Sequence, residues 1–146
     1  MSVSRDILER VIRLTRRQNS QVLLASADAE GAPHLAAAGS LELDPDDSLI
    51  LGAWFCPTTV ENVRPDRKVA LIVWNPADDQ GYQILGRVRR IEDLAVMDGL
   101  PDERAEQAIP QVERQLVIRA ERAMNFRQAP HSDDAIAPEP MTGTQS

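Results

Sequence analysis

Apolar positions at the start of the chain follow a helical period: Val3, Ile7, Leu8, Val11, Ile12 and Leu14 are interleaved with Arg5, Asp6, Glu9, Arg10 and Arg13. The spacing predicts an amphipathic helix that opens on Ser4 as N-cap and ends at Asn19 and Ser20. The period then changes. Residues 21–27 (QVLLASA) read as a buried strand, and the turn chemistry of Gly31 and Pro33 lets residues 34–43 pair back as a second strand. Within it, Ala36, Ala37, Ala38 and Gly39 weaken strand propensity and leave the backbone open to close approach by a ligand or partner chain. Residues 44–48 (DPDDS) make a tight turn with Pro45 at its second position, and 49–54 form the third strand. The three aspartates lack the glycine and distal glutamate of an EF-hand, so they read as a solvated turn.

Pro57 suits a first helical residue and Pro65 stops the short helix it opens. The clearest strand is 68–75 (KVALIVWN), followed by a loop and a fifth strand over 82–91 with alternating Arg87 and Arg89. Residues 101–111 are charged and read as helix, and 116–126 fit helix or strand equally well. From Ala129 the chain holds three prolines, three acids and neither Lys nor Arg. That composition buries too little surface to order itself. The predicted organisation is a domain over 1–128 and a flexible, dispensable tail over 129–146. Helix, five strands, helix and a sixth strand argue a mainly β fold, a six-stranded antiparallel barrel with helices over its gaps.

Composition narrows the function. A chain of 146 residues holds one domain with a real core. With 3% aromatic residues, that core rests on Val, Ile, Leu and Ala, and Trp54 and Trp74 stand out as core, pocket or interface residues. A net charge of −7 opposes binding to a phosphate backbone, so no nucleic-acid partner is expected. The lone Cys56 excludes an internal disulfide and argues a reducing compartment. Arg16 and Arg17 precede an apolar run, which invites a twin-arginine reading. The run is shorter than the roughly 7–15 residues an export signal needs, and no stretch of about 20 apolar residues spans a membrane. The expectation is a cytoplasmic protein with no membrane partner.

Thr58 and Thr59 put two hydroxyls at the start of a short helix, where they cap the helix or bind an anion such as a phosphate. Asn62 holds the turn or contacts the same ligand. Gln83 reaches a ligand edge or faces solvent, and Trp54 supplies an apolar wall. Cys56 reads as a small buried residue, because no resolving cysteine exists and neither His34 nor His131 is linked to it by a motif. Two histidines so placed make no metal site. Neither a Walker glycine-lysine motif nor G-x-G-x-x-G is present.

The order of these motifs resembles the FMN-binding split barrels of the pyridoxamine 5′-phosphate oxidase-like superfamily. The resemblance rests on 31–35 (GAPHL), on 58–69 (TTVENVRPDRKV) through Thr59, Asn62, Asp66 and Val69, and on 81–86 (GYQILG). It covers about 22–91, and more loosely 117–126 as a closing strand. It implies a homodimer with FMN at the subunit interface, the cofactor contacted by Thr58, Thr59, Asn62, Trp54 and Gln83. Where relatives place a phosphate-binding Lys or Arg this chain has Thr58 or Thr59, which leaves Arg64, Arg67, Arg87 and Arg89 as the candidates to replace that cation, and the sequence does not say which of them faces the pocket. A true pyridoxamine 5′-phosphate oxidase is longer and carries an Arg/His signature near its C-terminus that is missing here. Two functions follow: an FMN-dependent oxidoreductase whose substrate the sequence does not name, or a split-barrel binding module that has lost tight FMN binding.

Overall fold

A computed structural model describes residues 3–55, 57–97, 111–128 and residue 136. Helix α1 (Arg5–Thr15) follows the predicted stripe, burying Ile7, Leu8, Val11, Ile12 and Leu14. Ser4 holds the N-cap position in extended backbone, but its hydroxyl makes no cap bond. The chain then runs through β1 (Gln21–Ala27), β2 (Pro33–Ala37), β3 (Ser40–Leu43), β4 (Ser48–Phe55), α2 (Pro57–Asn62), β5 (Lys68–Asn75), β6 (Gln80–Met97) and β7 (Gln111–Asn125). All seven strands belong to one antiparallel sheet, ordered β2-β1-β5-β6-β7-β4-β3. The class is the predicted split barrel with one strand more than the pattern predicts.

The extra strand arises where 34–43 breaks. The Ala38 N–H donates to the Val22 carbonyl at 2.8 Å, on β1, and the next N–H, that of Gly39, donates to the Gly52 carbonyl at 2.8 Å, on β4. The chain changes partner within one residue, crossing from one half of the barrel to the other. A Cβ at Gly39 would lie 3.0 Å from that carbonyl oxygen, a tight approach that a glycine relieves.

Residues 111–125 resolve to strand because backbone pairing is available on both sides, from β6 and from β4. The helix expected over 101–111 lies outside the described residues, apart from Gln111, which opens β7. The β6–β7 ladder shifts register at Leu85/Gly86, Val88/Arg90 and Asp93/Ala95, which bends it around the core. A Cβ on Gly86 would stand 2.4 Å from the Arg119 carbonyl oxygen.

Inward positions of the strands meet α1 in one core that includes Leu24, Leu49, Leu51, Leu71, Val73, Ile84, Leu116 and Ile118. The turns are held by their own aspartates. The Asp28 carboxylate accepts from the Glu30 and Ala32 N–H groups, and that of Asp44 from Asp46 and Ser48. The DPDDS segment is therefore a side-chain-capped turn. Where β4 stops pairing with β7 at Arg119, the Val3 N–H donates to Ala120 and the Ile136 N–H donates to Ala123 at 2.8 Å. Ile136 also packs against the core. The rest of 129–146 lies outside the described residues, but this contact runs against a wholly dispensable tail.

Two stability measurements follow. Gly86→Ala should cost about 1–3 kcal/mol in urea unfolding, since the backbone has to move to admit the methyl group. Ending the chain after Gln128 should cost about 1–2 kcal/mol, from one hydrogen bond and a partly buried Ile136. An unchanged melting temperature would show that Ile136 contributes nothing.

Candidate functional site

The sheet is open between its terminal strands. Strand β2 pairs only with β1, so its second edge, like the end of β4 beyond the Gly39–Gly52 stitch, faces the split. Helix α2 sits at this end, packed against β1, β4 and β7. This split, a cleft by its strand topology, is bordered by backbone from residues 34–38 and 53–55, with α2 at its end. An unpaired strand edge offers N–H and C=O groups in a fixed row, the donor set that the polar rim of a planar heterocycle requires.

Two side-chain hydrogen bonds hold α2 in place. His34 lies opposite Ser26 in the β1–β2 register, and both point to the inner side of the sheet. His34 Nε2 is 2.9 Å from Thr59 Oγ1, and Asn62 Nδ2 donates to Ser26 Oγ at 3.3 Å. Thr59, Asn62 and Ser26 are buried, and His34 is half-buried. Val60 and Val63 carry the same helix face onto apolar neighbours. Among the described residues no buried side-chain polar atom lacks a partner.

This geometry divides the residues singled out in the sequence. Thr59 and Asn62 are committed to bonds inside the protein, with Thr59 at 0% exposure, while Thr58 on the next position is exposed. Trp54 belongs to β4, its backbone paired with Glu113 immediately before α2, and its side chain lies outside the described residues, as do Cys56 and His131. Gln83 stands apart. The register runs Ala37, Leu23, Ile72, Gln83 across β2, β1, β5 and β6, which sets Gln83 roughly 14 Å from Ala37, on the outer face of the sheet. No motif links His34 to α2. The signal was the hairpin itself, since Gly31 and Pro33 set the register that brings His34 opposite Ser26.

Of the four candidate arginines, two are engaged elsewhere. Arg87 bonds Glu121 and the Asp66 carbonyl, each at 3.3 Å, and Arg89 donates to Ser48 Oγ at 2.7 Å. Arg64 is exposed two residues after α2, and Arg67 is half-buried in the turn that follows. No group of three or more metal-ligating side chains occurs among the described residues, and no described helix is long and apolar enough to cross a membrane.

The outer face of β2, β1, β5 and β6 carries Leu35, Ala37, Leu23, Ala25, Ala70, Ile72 and Leu85. Leu35 is 61% exposed, which is unusual for a large aliphatic side chain on a strand. Beside it an open hollow of about 440 Å³ is lined by Ala25, Ala70 and Leu85, with Lys68 and Arg122 among its polar residues.

The family described as pyridoxamine 5′-phosphate oxidase matches residues 8–130 of the chain. No curated protein matches it. Among solved structures it is similar to HupZ of Group A Streptococcus, at 19% identity over 85% of this chain and 97% of that one, with a TM-score of 0.56. It is similar to an FMN-binding protein of Syntrophomonas wolfei subsp. wolfei, at 17% identity over 86% and 90%, TM-score 0.55. A pyridoxamine 5′-phosphate oxidase-related, FMN-binding protein of Nostoc punctiforme aligns at 11% identity over 94% and 100%, TM-score 0.57. At such identities the likeness is one of fold.

The two threonines should separate in a stability measurement. Thr59→Val leaves His34 Nε2 without this partner and should cost about 1–3 kcal/mol in urea unfolding. Thr58→Val, at an exposed position, should stay within about 0.5 kcal/mol. Equal effects would mean that the His34–Thr59 bond is not what holds α2.

Proposed function

The chain belongs to the pyridoxamine 5′-phosphate oxidase-like family of FMN-binding split barrels, and on that premise we propose that it binds FMN and acts as an oxidoreductase between two copies of itself. The observation that carries this reading is the cleft between the free edge of β2 and the end of β4, with α2 beside it. Its donor set suits the cofactor: strand-edge amides for the rim of the ring, and the Thr58 hydroxyl with Arg64 for the phosphate. Bound FMN would supply hydride or electron transfer. The protein's part is to hold and orient it. Residues 34–38 lie along the ring edge, and the His34–Thr59 and Ser26–Asn62 bonds keep Thr58 at the phosphate. A second copy laid on the outer face covers Leu35 and its apolar neighbours and excludes water, and Gln83 lies on that same face.

One observation favours the second reading, a split-barrel binding module without tight FMN. Residues 57–62 contain no Lys or Arg, and Thr59 and Asn62 are spent on internal bonds. A phosphate held without a preset cation gives up a charge-assisted bond of about 1.5–3 kcal/mol.

Titration of wild-type protein with FMN and with riboflavin, followed by flavin fluorescence quenching, separates the two. The FMN reading expects both to bind, FMN more tightly. Thr58→Val should weaken FMN about tenfold, the loss of one hydrogen bond to a charged group, and leave riboflavin nearly unaffected. Absence of binding by either flavin would support the cofactor-free module. Light scattering should return twice the chain mass of 16.2 kDa, and Leu35→Glu should return the monomer. A wild-type monomer at micromolar concentration would refute the shared site.

A further inference from the structure

We propose that a recess between α1 and the start of β6, remote from the cleft, binds a small, multiply charged phosphate compound of the pyrophosphate or phosphomonoester class. The recess has a volume of about 320 Å³ and is lined by Arg10, Arg13, Leu14, Arg17, Gln80 and Tyr82. Arg10 and Arg13, at i and i+3, share one face of α1, and Arg17 follows two residues beyond the end of the helix. Opposite them β6 contributes an amide and a phenol.

The charge distribution singles out α1 and the turn after it. Five of the sixteen Lys and Arg residues, Arg5, Arg10, Arg13, Arg16 and Arg17, lie within residues 5–17, against Asp6 and Glu9, in a chain whose net charge is −7. Arg5 is occupied at the far end of the helix, 2.6 Å from Asp47 and 3.2 Å from Glu9. Arg17 is 2.6 Å from Asp78, whose carboxylate competes with an incoming anion. Arg13 is exposed and closes on the ligand from outside. A guanidinium presents a planar fork of donors that matches the paired oxygens of a phosphate, and three such forks around one recess suit an anion with several terminal oxygens.

The recess and the cleft lie at opposite ends of the strands. Gln80 pairs with Asn75 and Gln21 with Trp74, whereas Ser26 pairs with His34 beside α2. Five residues of β1 separate the two levels, roughly 17 Å at the rise of an antiparallel strand. The recess is therefore independent of the cleft.

Isothermal titration calorimetry of the full chain with sodium pyrophosphate, at an ionic strength fixed with sodium chloride, tests it. One saturable site of submillimolar affinity is expected. Arg13→Gln should weaken it at least tenfold, and Asp78→Asn should tighten it about threefold by removing a competing carboxylate, the scale of a single partly screened charge pair. Arg119→Gln, at an exposed position on β7, and Thr58→Val should leave the affinity within about twofold, the scatter expected at distant sites. The proposal is overturned by any of three results: no saturable binding into the millimolar range, an unchanged affinity in Arg13→Gln, or an equal loss in Arg119→Gln or Thr58→Val. The last would move the anion to general screening or to the cleft.

Discussion

Two hydrogen bonds, His34 to Thr59 and Asn62 to Ser26, fix the position of a six-residue helix that is too short to hold itself. Helix α2 has one full turn and a half, and its intrinsic stability in water is negligible. It exists because its inner face meets a polar pair set by the β1–β2 register and because Val63 is buried, and Val60 partly buried, against the core. Everything proposed for this end of the barrel depends on that anchoring. Fixing Thr59 inward turns Thr58 outward, and fixing the helix sets one end of the split that β2 and β4 flank.

The same bonds constrain the chemistry. A hydroxyl or amide that stabilises the helix internally is not available to a ligand, so the phosphate end proposed here falls to Thr58 and Arg64, a weaker set than one built around a lysine in the turn. Affinity for a flavin then has to come from the strand-edge amides and from apolar cover. A barrel with 3% aromatic residues has little such cover of its own, whereas its outer face displays Leu35 and a field of aliphatic side chains. A second copy would bury that field and complete the site in one step.

Much of this architecture was legible in the sequence because it rests on periodicity. The α1 stripe, the alternation of 68–75 and the turn chemistry at Asp28 and Asp44 are local properties, and each appears in the structure where the pattern places it. What escaped is non-local. The break at Ala38 and Gly39 depends on a carbonyl of β4 waiting for the Gly39 N–H, and the strand character of 116–126 depends on partners on both sides. The bond from His34 to Thr59 spans 25 positions, and the docking of Ile136 joins a composition that reads as disordered to a bare stretch of β7. Thr58 and Thr59 look equivalent in a linear sequence. Only the helical turn makes one of them structural and leaves the other at the surface.

The central claim is that a flavin occupies the cleft between β2 and β4. Amide chemical-shift mapping of the full chain during titration with FMN tests it most directly. The largest perturbations should fall on residues 34–38, 53–55 and 58–64, with a second, weaker set on the outer face around Leu35 and Gln83. Perturbations confined to α1 and the start of β6, or none at saturating FMN, would contradict it.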